Sequence, residues 1–529
     1  MRKIITWCVL LILATASAMA AEKPNVLFIA VDDMNDWVEP LGGNVQTITP
    51  NLTRLAELGM TFTNAHCASP ACHSSRVAIM TGVSPARTGI QANVFNRKVG
   101  PSWRKNDLLR DVVTLSQHFR NNGYEAVGGG KIYHSLQWWP GSENDPDTWD
   151  AYVPASLKPI PTWVRPSKAE RDRQREAFFG RRPLGELLFG WTPLDVTDPE
   201  TSDHQVVDWA IGEMKKKRDK PFFIACGLFR PHIPWEVPRK YFDMHPVDAI
   251  EPLKTQEADL RDTWDHGRRA WHQWVLQNKQ WPAAIQGYLA SITYTDTQVG
   301  RLLDGLQASG RMDDTIIVLW TDHGMHIGEK ENWEKFTLWE ESTRVPLFLV
   351  APGAAEPGTR CARPASLLDV YPTLAELAGT KLPDHLDGVS LVPWLKNPER
   401  PRERPATCSY RGDHAIRTDR WRYITYRSGV EELYDHQSDP DEFANLAYHP
   451  DHAEQRNEMR TLLTEHTGFK TPTGDAAPTG YTVENGRLAR QEFQPLGEVV
   501  KQAIEQHEAG EAVTATPYRP RGKKPQEKK

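Results

Sequence analysis

The sequence predicts an α/β fold, with a large, mostly parallel sheet sandwiched by helices and a smaller C-terminal antiparallel-sheet subdomain. Continuous apolar segments rich in β-branched residues are typical of strands buried on both faces, and they occur at 25–31, 221–229, 315–320 and 345–350. Segments with helical signals alternate with these strands, at 50–59, 114–123, 202–217 and 288–310. This alternation predicts a parallel sheet covered by helices.

The second prediction of that fold class, the antiparallel subdomain, depends on the segments that follow a Pro- and Arg-rich break at 393–405. Residues 415–426 and 432–439 there have the character of short strands joined by a turn. The chain has 529 residues, of which 39% are hydrophobic, enough for one large domain with an ample core and a smaller one. We therefore expect four parts, namely a leader at 1–20, the α/β domain at 21–395, the C-terminal subdomain at 396–470, and an extension with a disordered basic tail at 471–529.

The first twenty residues have the pattern of a secretory signal peptide. Arg2 and Lys3 precede an apolar segment at 4–13, and small residues at 18 and 20 form a cleavage site. The apolar segment is too short to span a bilayer, and no other membrane-spanning candidate follows it. We therefore expect an exported protein, periplasmic or secreted, without a membrane span.

Charge and cysteine content restrict the class of protein further. Removal of residues 1–20 takes the net charge from −6 to −8, because Arg2 and Lys3 are the charged residues lost, and an acidic protein is a poor nonspecific binder of nucleic acid. Five cysteines remain, at positions 67, 72, 226, 361 and 408, too widely spaced for a disulfide scaffold. We expect Cys67 to be a core residue or half of a disulfide.

Acidic side chains follow two of the predicted strands directly. Asp32 and Asp33 come after the first strand, and Asp322 and His323 come after the strand at 315–320. The carboxyl ends of parallel strands meet at one edge of the sheet, where open α/β folds place their ligand sites. Such an oxygen-rich cluster suits Ca²⁺ or Mg²⁺. The alternative is that these residues form solvated turns or helix caps.

Candidate cationic and proton-transferring residues occur in the loops near the same edge. Lys131 and His134 follow a Gly-rich strand exit that lets backbone and ligand approach closely. His232 lies in a loop that is held extended by prolines, and Lys335 lies thirteen residues after Asp322. Such groups neutralise an anionic ester and transfer protons, although exposed Lys and His residues are more often simply solvated.

The segment 69–82 carries a candidate nucleophile. Ser69 and Ser74 are residue types that cap helices, and Gly82 is a typical helix stop, so a short helix is expected here. Cys72 would lie near the helix N-terminus, where free N–H groups and the dipole favour an anion. Arg76 would lie one turn further along the helix. The alternative is that Cys72 is a small buried apolar residue.

Several ordered motifs resemble the type I sulfatases, formylglycine-dependent enzymes of the alkaline phosphatase superfamily. The motifs include VDDMND, CHSSRVAIMTG, GGGKIYH, FRPHIPW and TDHGMHIGEKENWEK, and the resemblance covers residues 23–447. Within the family the chain is most similar to the iduronate-2-sulfatase group. The usual signature has proline two residues after the cysteine, where this chain has Ser74.

The resemblance implies a role for each matched residue. Ca²⁺ would be bound by Asp32, Asp33, Asp322 and His323. Cys72 would be converted to formylglycine, whose hydrate attacks the sulfur of a sulfate ester. Arg76 and Lys131 would hold the hydrate and the sulfate. His134 would deprotonate the sulfated intermediate. His232 and Lys335 would contact the sulfate, and one of them would protonate the leaving group.

The resemblance also implies partners, and it leaves alternatives. The substrate would be a sulfated carbohydrate, such as a glycosaminoglycan or another polysaccharide, and a formylglycine-generating or anaerobic maturation enzyme would modify Cys72. One alternative is a phosphodiesterase or phosphonate hydrolase of the same superfamily. Another is a carbohydrate-binding pseudoenzyme in which Cys72 is never matured.

Overall fold

The structure is a computed structural model that describes residues 23–93, 101–134, 144–153, 189–266, 269–471, 477–498 and 500–501. The expected signal peptide, most of the Trp-rich insertion at 138–196, most of the helix expected near 498–508 and the basic tail lie outside the described residues. No helix in the described part of the chain combines the length and the apolar character that a bilayer crossing requires.

The strands of the described chain form one large sheet and several small ones. In chain order they are β1 (Asn25–Val31), β2 (Met60–Phe62), β3 (Ala65–His66), β4 (Glu125–Gly130), β5 (Ala151–Val153), β6 (Phe222–Gly227), β7 (Thr315–Thr321), β8 (His326–Ile327), β9 (Trp333–Glu334), β10 (Leu347–Val350), β11 (Thr359–Cys361), β12 (Ala365–Ser366), β13 (Ala406–Tyr410), β14 (Asp413–Arg417), β15 (Trp421–Thr425), β16 (Glu431–Asp435), β17 (Tyr481–Glu484) and β18 (Arg487–Arg490).

The α-helices are mostly short, apart from one of 28 residues. In chain order they are α1 (Pro50–Leu58), α2 (Cys72–Thr81), α3 (Pro85–Thr88), α4 (Leu115–Asn121), α5 (Ser202–Met214), α6 (Arg239–Asp243), α7 (Arg269–Gln277), α8 (Trp281–Ala308), α9 (Glu340–Thr343), α10 (Val370–Leu377), α11 (Val392–Lys396) and α12 (Ala453–Thr467).

The main sheet has eight strands in the order β11-β2-β10-β7-β1-β6-β4-β5. Every neighbouring pair is parallel except the two pairs that β10 makes, so β10 alone runs against the others in this sheet. Successive β1 residues contribute to different cores: Val26, Phe28 and Ala30 to one, and Leu27, Ile29 and Val31 to the other. The predicted fold class is therefore confirmed.

Each face of the sheet is covered by helices that bury an apolar stripe. The long helix α8 contributes Ile292, Val299, Leu303 and Leu306 to one core, together with residues of α1 and α5. Helices α2, α4 and α10 contribute to the other core. Burying one such aliphatic side chain stabilises the fold by about 1.5–3 kcal/mol. This two-sided burial explains the continuous apolar strands of the sequence.

The order of the central strands brings the candidate residues to one edge. Strands β4, β6, β1 and β7 are adjacent and parallel. Their carboxyl ends lead directly to Lys131, Gly227, Asp32 and Asp322.

The C-terminal antiparallel sheet has the order β13-β14-β15-β16 and packs beside the main domain. The Ser409 N–H of β13 donates to the Ala68 carbonyl at 3.0 Å, and apolar residues of this sheet, such as Ile416 and Leu433, belong to the same core as α2. The C-terminal sheet is therefore joined to the segment that precedes Cys72.

Candidate active site

Cys72 is the first residue of helix α2, and it is almost completely buried, with 1% of its surface exposed. The cap residue is Ala71, which has an extended conformation, and Gly82 ends the helix in the left-handed region at φ 71°. Neither Ser69 nor Ser74 caps this helix, because Ser69 lies two residues before the cap and Ser74 lies inside the first turn. Its hydroxyl donates to the Ser69 hydroxyl at 2.7 Å and faces the Ala71 carbonyl at 3.1 Å.

Arg76 binds two of the predicted carboxylates from the same helix. Its Nε donates to Asp322 Oδ2 at 2.8 Å, and its Nη2 donates to Asp32 Oδ1 at 3.1 Å. A further Arg76 nitrogen donates to the Lys131 carbonyl. All three side chains of this ion-pair group are fully buried. Arg76 thus fixes the ends of β1, β4 and β7 relative to α2.

Each of the other two cations binds one carboxylate of the Asp32–Asp33 pair. The Lys131 ammonium donates to Asp32 Oδ2. The Lys335 ammonium donates to both oxygens of Asp33, at 2.6 and 2.9 Å. Arg76, Lys131 and Lys335 therefore balance the three carboxylates of Asp32, Asp33 and Asp322 within the fold.

His323 lies between the cysteine and the carboxylates. Its Nδ1 donates to the Gly324 carbonyl at 3.0 Å, while its Nε2 is 3.2 Å from Cys72 Sγ, 3.5 Å from Asp33 Oδ1 and 3.6 Å from Asp322 Oδ2. Burial disfavours the charged imidazole, but Asp322 and Cys72 outweigh that effect and raise the pKa of His323 to about 9.

The donor set fits a hard divalent cation. Side-chain ligand atoms of Asp32, Asp33, Cys72 and His323 all lie within 4.8 Å of one another, and Asp322 adjoins them. Carboxylate oxygens dominate the set, which is the preference of Ca²⁺ and Mg²⁺. Burial raises the pKa of Asp33 to about 7, and the neighbouring Asp32 contributes to this rise while Lys335 opposes it.

The thiol of Cys72 is in an electropositive environment. Burial raises its pKa, but Lys335 and Lys131 outweigh burial and lower the pKa from its ordinary value. Low-pKa cysteines at helix N-termini beside lysines are typical of reactive rather than structural thiols.

The two remaining predicted residues, His232 and His134, lie beside the lysines. His232 Nε2 is 3.3 Å from Lys335 Nζ and 3.8 Å from Asp33 Oδ2, and its Nδ1 faces the Ile233 carbonyl. His134 follows Lys131 in the β4 exit and is buried. Burial and then Lys131 lower the pKa of His134 to about 3, and burial and Lys335 lower that of His232 well below its usual range.

The structure therefore brings all ten sequence-predicted residues to one edge of the sheet. The interactions above join Asp32, Asp33, Cys72, Arg76, Lys131, His232, Asp322, His323 and Lys335 into one network, and His134 adjoins it. The structure shows Arg76 on the carboxylates of Asp32 and Asp322, whereas the resemblance implies that it holds the hydrate and the sulfate.

Sequence reasoning missed several supporting residues. Asp203 of α5 accepts the N–H groups of Phe229 and Arg230 at 3.0 and 2.9 Å, and this holds the start of the His232 loop. The Tyr288 hydroxyl donates to the Asp33 carbonyl at 2.9 Å. In the sequence both are ordinary helix residues, and no local pattern distinguishes them.

The C-terminal sheet also reaches the candidate site. The turn between β13 and β14 is held by Gln91, which accepts from the N–H groups of Arg411 and Gly412. The Tyr410 ring lies 5.8 Å from that of Phe336, the residue after Lys335. Tyr410 and Phe336 thus place the C-terminal sheet beside the segment that carries Lys335.

Comparison with known proteins identifies the family. The family model described as Sulfatase matches residues 24–380, and a second model, described as N-sulphoglucosamine sulphohydrolase, C-terminal, matches residues 328–468. A protein named sulfatase from Formosa agariphila is 36% identical over 434 residues, which cover 80% of this chain and 83% of that protein. The chain therefore belongs to the sulfatase family, as a type I sulfatase of the alkaline phosphatase superfamily.

Other relatives carry more specific names. The choline-sulfatase of Rhizobium meliloti is 28% identical and covers 95% of this chain and all of that protein, while human iduronate 2-sulfatase is 28% identical and covers 71% and 72%. A solved structure in complex with its substrate D-glucosamine-2-N,6-O-disulfate has a TM-score of 0.64 at 20% identity, covering 84% of this chain and 98% of that one. The phosphonate monoester hydrolase of Agrobacterium radiobacter also has a TM-score of 0.64, at 22% identity, covering 89% and 100%. At these identities the structural likeness establishes the fold alone.

Proposed function

We propose that this protein is an exported sulfatase that removes sulfate from a sulfated sugar, with a specificity similar to that of iduronate-2-sulfatase. The observation that carries the proposal is the placement of Cys72 at a helix N-terminus, 3.2 Å from His323 and surrounded by Arg76, Lys131 and Lys335. Iduronate 2-sulfatases and N-acetylglucosamine-6-O-sulfatase among the relatives support a sugar substrate.

Two groups would complete the chemistry of this site. Ca²⁺, held by Asp32, Asp33, Asp322 and His323, would supply a fixed positive charge, and formylglycine at position 72 would supply a hydroxyl nucleophile. A formylglycine-generating or anaerobic maturation enzyme would convert Cys72. Because Ser74 stands where the family signature has proline, this chain also tests how strictly that enzyme requires the proline.

The remaining residues bind the sulfate and move protons. Lys131, Lys335 and His232 lie on the side of the carboxylates where they can receive the anionic oxygens of a sulfate ester. His134, whose pKa is lowered to about 3, is neutral at physiological pH and is therefore available as the base that accepts a proton.

The contacts of His232 favour Lys335 as the acid that protonates the leaving group. His232 Nδ1 faces the Ile233 carbonyl, which only accepts, so this nitrogen carries the proton of the neutral ring. Its Nε2 then accepts from Lys335 Nζ at 3.3 Å and has no proton to donate. Lys335 holds the transferable proton, and His232 orients it.

Sulfate release by the purified, export-matured protein tests the proposal. A panel should contain 2-O-sulfated uronic acid disaccharides, 6-O-sulfated glucosamine, choline sulfate and a phosphonate monoester, with released sulfate or phosphonate measured by ion chromatography. We expect sulfate from a sulfated sugar, and we expect Cys72→Ala to lower kcat by about 10³-fold or more while leaving the melting temperature unchanged within about 2 °C. Cys361→Ala is the matched control and should retain activity.

Mass spectrometry of the tryptic peptide 55–76 is the second measurement. Formylglycine has oxygen in place of the cysteine sulfur and two hydrogens fewer. An unmodified thiol in protein that nevertheless releases sulfate would refute the nucleophile, and preferential hydrolysis of the phosphonate ester would favour the alternative hydrolase. An unmodified thiol without any activity, in protein matured under both aerobic and anaerobic conditions, would favour the carbohydrate-binding pseudoenzyme.

A further inference from the structure

Cys67 and Cys408 lie side by side although 341 positions separate them in the sequence. Their Sγ atoms are 3.9 Å apart, and both residues are buried, with 0% and 3% of their surfaces exposed. Both are free thiols in the structure. Cys67 lies five residues before the nucleophile position, and Cys408 is the central residue of β13. The pair therefore spans the junction between the α/β domain and the C-terminal sheet.

The backbones that carry the two thiols are held in place by hydrogen bonds. The Ser409 N–H donates to the Ala68 carbonyl at 3.0 Å, one residue beyond each cysteine. The Cys67 N–H donates to the Thr343 carbonyl at 2.8 Å, and Cys408 is paired with Ala415 of β14. A disulfide has an S–S distance of about 2.05 Å, so the two sulfur atoms, now 3.9 Å apart, have to approach by about 1.9 Å for the bond to form.

We propose that Cys67 and Cys408 form a disulfide that covalently joins the nucleophile segment to the C-terminal sheet. The oxidant is a small-molecule disulfide such as glutathione disulfide, and two thiol–disulfide exchanges complete the reaction. One cysteine thiolate attacks glutathione disulfide and releases one glutathione thiol, and the second cysteine then attacks the mixed disulfide and releases another. Both protein thiol protons leave to solvent or to the released glutathione thiolates, so one disulfide is consumed and one is formed.

The surroundings of Cys67 and Cys408 determine when the disulfide forms. Burial raises the pKa of the Cys67 thiol, and Cys408 raises it further, so the thiolate that attacks is scarce in the folded protein. The bond is therefore expected to form while the chain folds in an oxidising compartment. Once formed, it closes a very long loop, and such a cross-link stabilises chiefly by restricting the unfolded chain.

Non-reducing peptide mapping tests the proposal directly. The full chain should be produced with its leader, purified from the oxidising compartment, then unfolded and refolded with glutathione disulfide and digested with trypsin. We expect the peptides 55–76 and 403–411 as one cross-linked species, two hydrogens lighter than their sum. Cys72 shares the first peptide, so the same map is made for Cys72→Ala, where Cys67 is the sole thiol of that peptide.

Thermal unfolding with and without a reductant measures how much the disulfide stabilises the protein. The oxidised protein should melt about 5 °C or more above the reduced protein, and this difference should vanish in Cys67→Ala and in Cys408→Ala. Cys361→Ala is the matched control, because Cys361 Sγ faces the Pro398 carbonyl at 3.5 Å, and it should keep the full difference. If both thiols of the unsubstituted protein remain free after refolding with glutathione disulfide, the proposal is overturned. This outcome does not depend on whether the variants fold.

Discussion

Charge compensation dominates the site at the scale of single residues. Three buried carboxylates are matched by one guanidinium and two ammonium groups, with every partner bound directly. Burial raises the pKa of Asp32, but Lys131 and Arg76 outweigh burial and lower it well below its usual range. Because an unpaired buried charge is costly, loss of any one partner affects both the fold and the binding of an anion.

His134 is expected to remain neutral across the working pH range. Its pKa is lowered to about 3, because burial and the Lys131 charge both disfavour the imidazolium, and a cation at the carboxylates would lower the pKa further. The unfolded residue has an ordinary pKa of about 6.5, so this burial destabilises the fold progressively as the pH falls below that value.

The neutrality of His134 is tested by comparing the pH dependence of kcat/KM for the matured enzyme and for His134→Gln. If His134 is the base, as proposed, the variant should lose about 10²–10⁴-fold in kcat, while the midpoint of the acid limb between pH 4 and 7 stays where it was. An acid limb that disappears in the variant would contradict a neutral His134. His204→Gln is the control, since His204 is partly exposed on α5 and should leave both quantities unchanged.

The sequence placed the site residues correctly at strand ends, yet it could not assign their partners. Asp32 and Asp33 are adjacent in sequence, but one pairs with Lys131 and the other with Lys335. Asp33 has a left-handed backbone at φ 61°, so the direction of its side chain does not follow the alternation of an extended strand. Such a conformation has no signal in a short polar stretch, so the pairing follows only from the folded backbone.

At the scale of elements, the exits of β4 and β6 cross at very close range. The Lys131 N–H donates to the Gly227 carbonyl at 2.9 Å. A Cβ atom on Gly227 would lie 2.3 Å from the Lys131 carbonyl carbon, and one on Gly130 would lie 2.0 Å from the Gly227 carbonyl oxygen. Two glycines therefore allow the approach that places Lys131 beside Asp32.

Gly227→Ala is expected to displace Lys131 from Asp32. The added methyl group meets backbone atoms, which cannot rotate away, so the fold should lose at least about 1–3 kcal/mol. If Lys131 positions the substrate, as proposed, a displacement of about 1 Å should lower kcat/KM about 100-fold. Thermal unfolding and sulfate release measure the two effects.

Gly212→Ala is the matched control for this substitution. Gly212 lies inside α5, and its Cβ would have no neighbour within 4 Å. The change should stabilise the protein by about 0.5–1 kcal/mol and leave turnover unaltered. An active Gly227→Ala enzyme would show that the close crossing is not needed to place Lys131.

The hydrophobic periodicity of the sequence predicted which segments are helices and which are strands. It did not always predict where they end or in which direction a strand runs. Strand β1 was predicted with its observed bounds, but the helix expected at 288–310 begins at Trp281. Strand β10 is antiparallel because the connection from β7 returns without a covering helix of more than one turn. The sequence of residues 324–340 does not indicate that β10 runs antiparallel to β7.

At the scale of the whole molecule, Arg422 of β15 joins the C-terminal sheet to the segment that precedes and begins helix α9. Its guanidinium forms ion pairs with Glu340 and Glu442, the latter at 2.5 Å, and donates to the Leu338 carbonyl at 3.0 Å. Arg422 is 1% exposed. Leu338 lies three residues after Lys335, so the C-terminal sheet supports the segment that carries a cation of the site.

Arg422→Ala is expected to destabilise the protein by about 3 kcal/mol, because Glu340 and Glu442 lose the buried cation between them while keeping Arg417 and His436 as partners. Urea unfolding measures this loss. Below the unfolding transition, kcat/KM should fall as well, through the loosened Lys335 segment. Arg420→Ala removes a half-exposed arginine bound to Asp435 and should cost below about 1 kcal/mol. Equal losses in the two variants would argue against a special role for Arg422.

All ten residues of helix α2 are buried, and this limits when Cys72 is accessible to a modifying enzyme. An enzyme that modifies Cys72 has to hold the surrounding peptide in its own cleft, and the folded chain offers none of that peptide. If Cys72 is converted to formylglycine as proposed, the modification would have to precede folding of this segment. Chains that fold unmodified would then stay without the nucleophile, and the yield of active enzyme would depend on the relative rates of modification and folding.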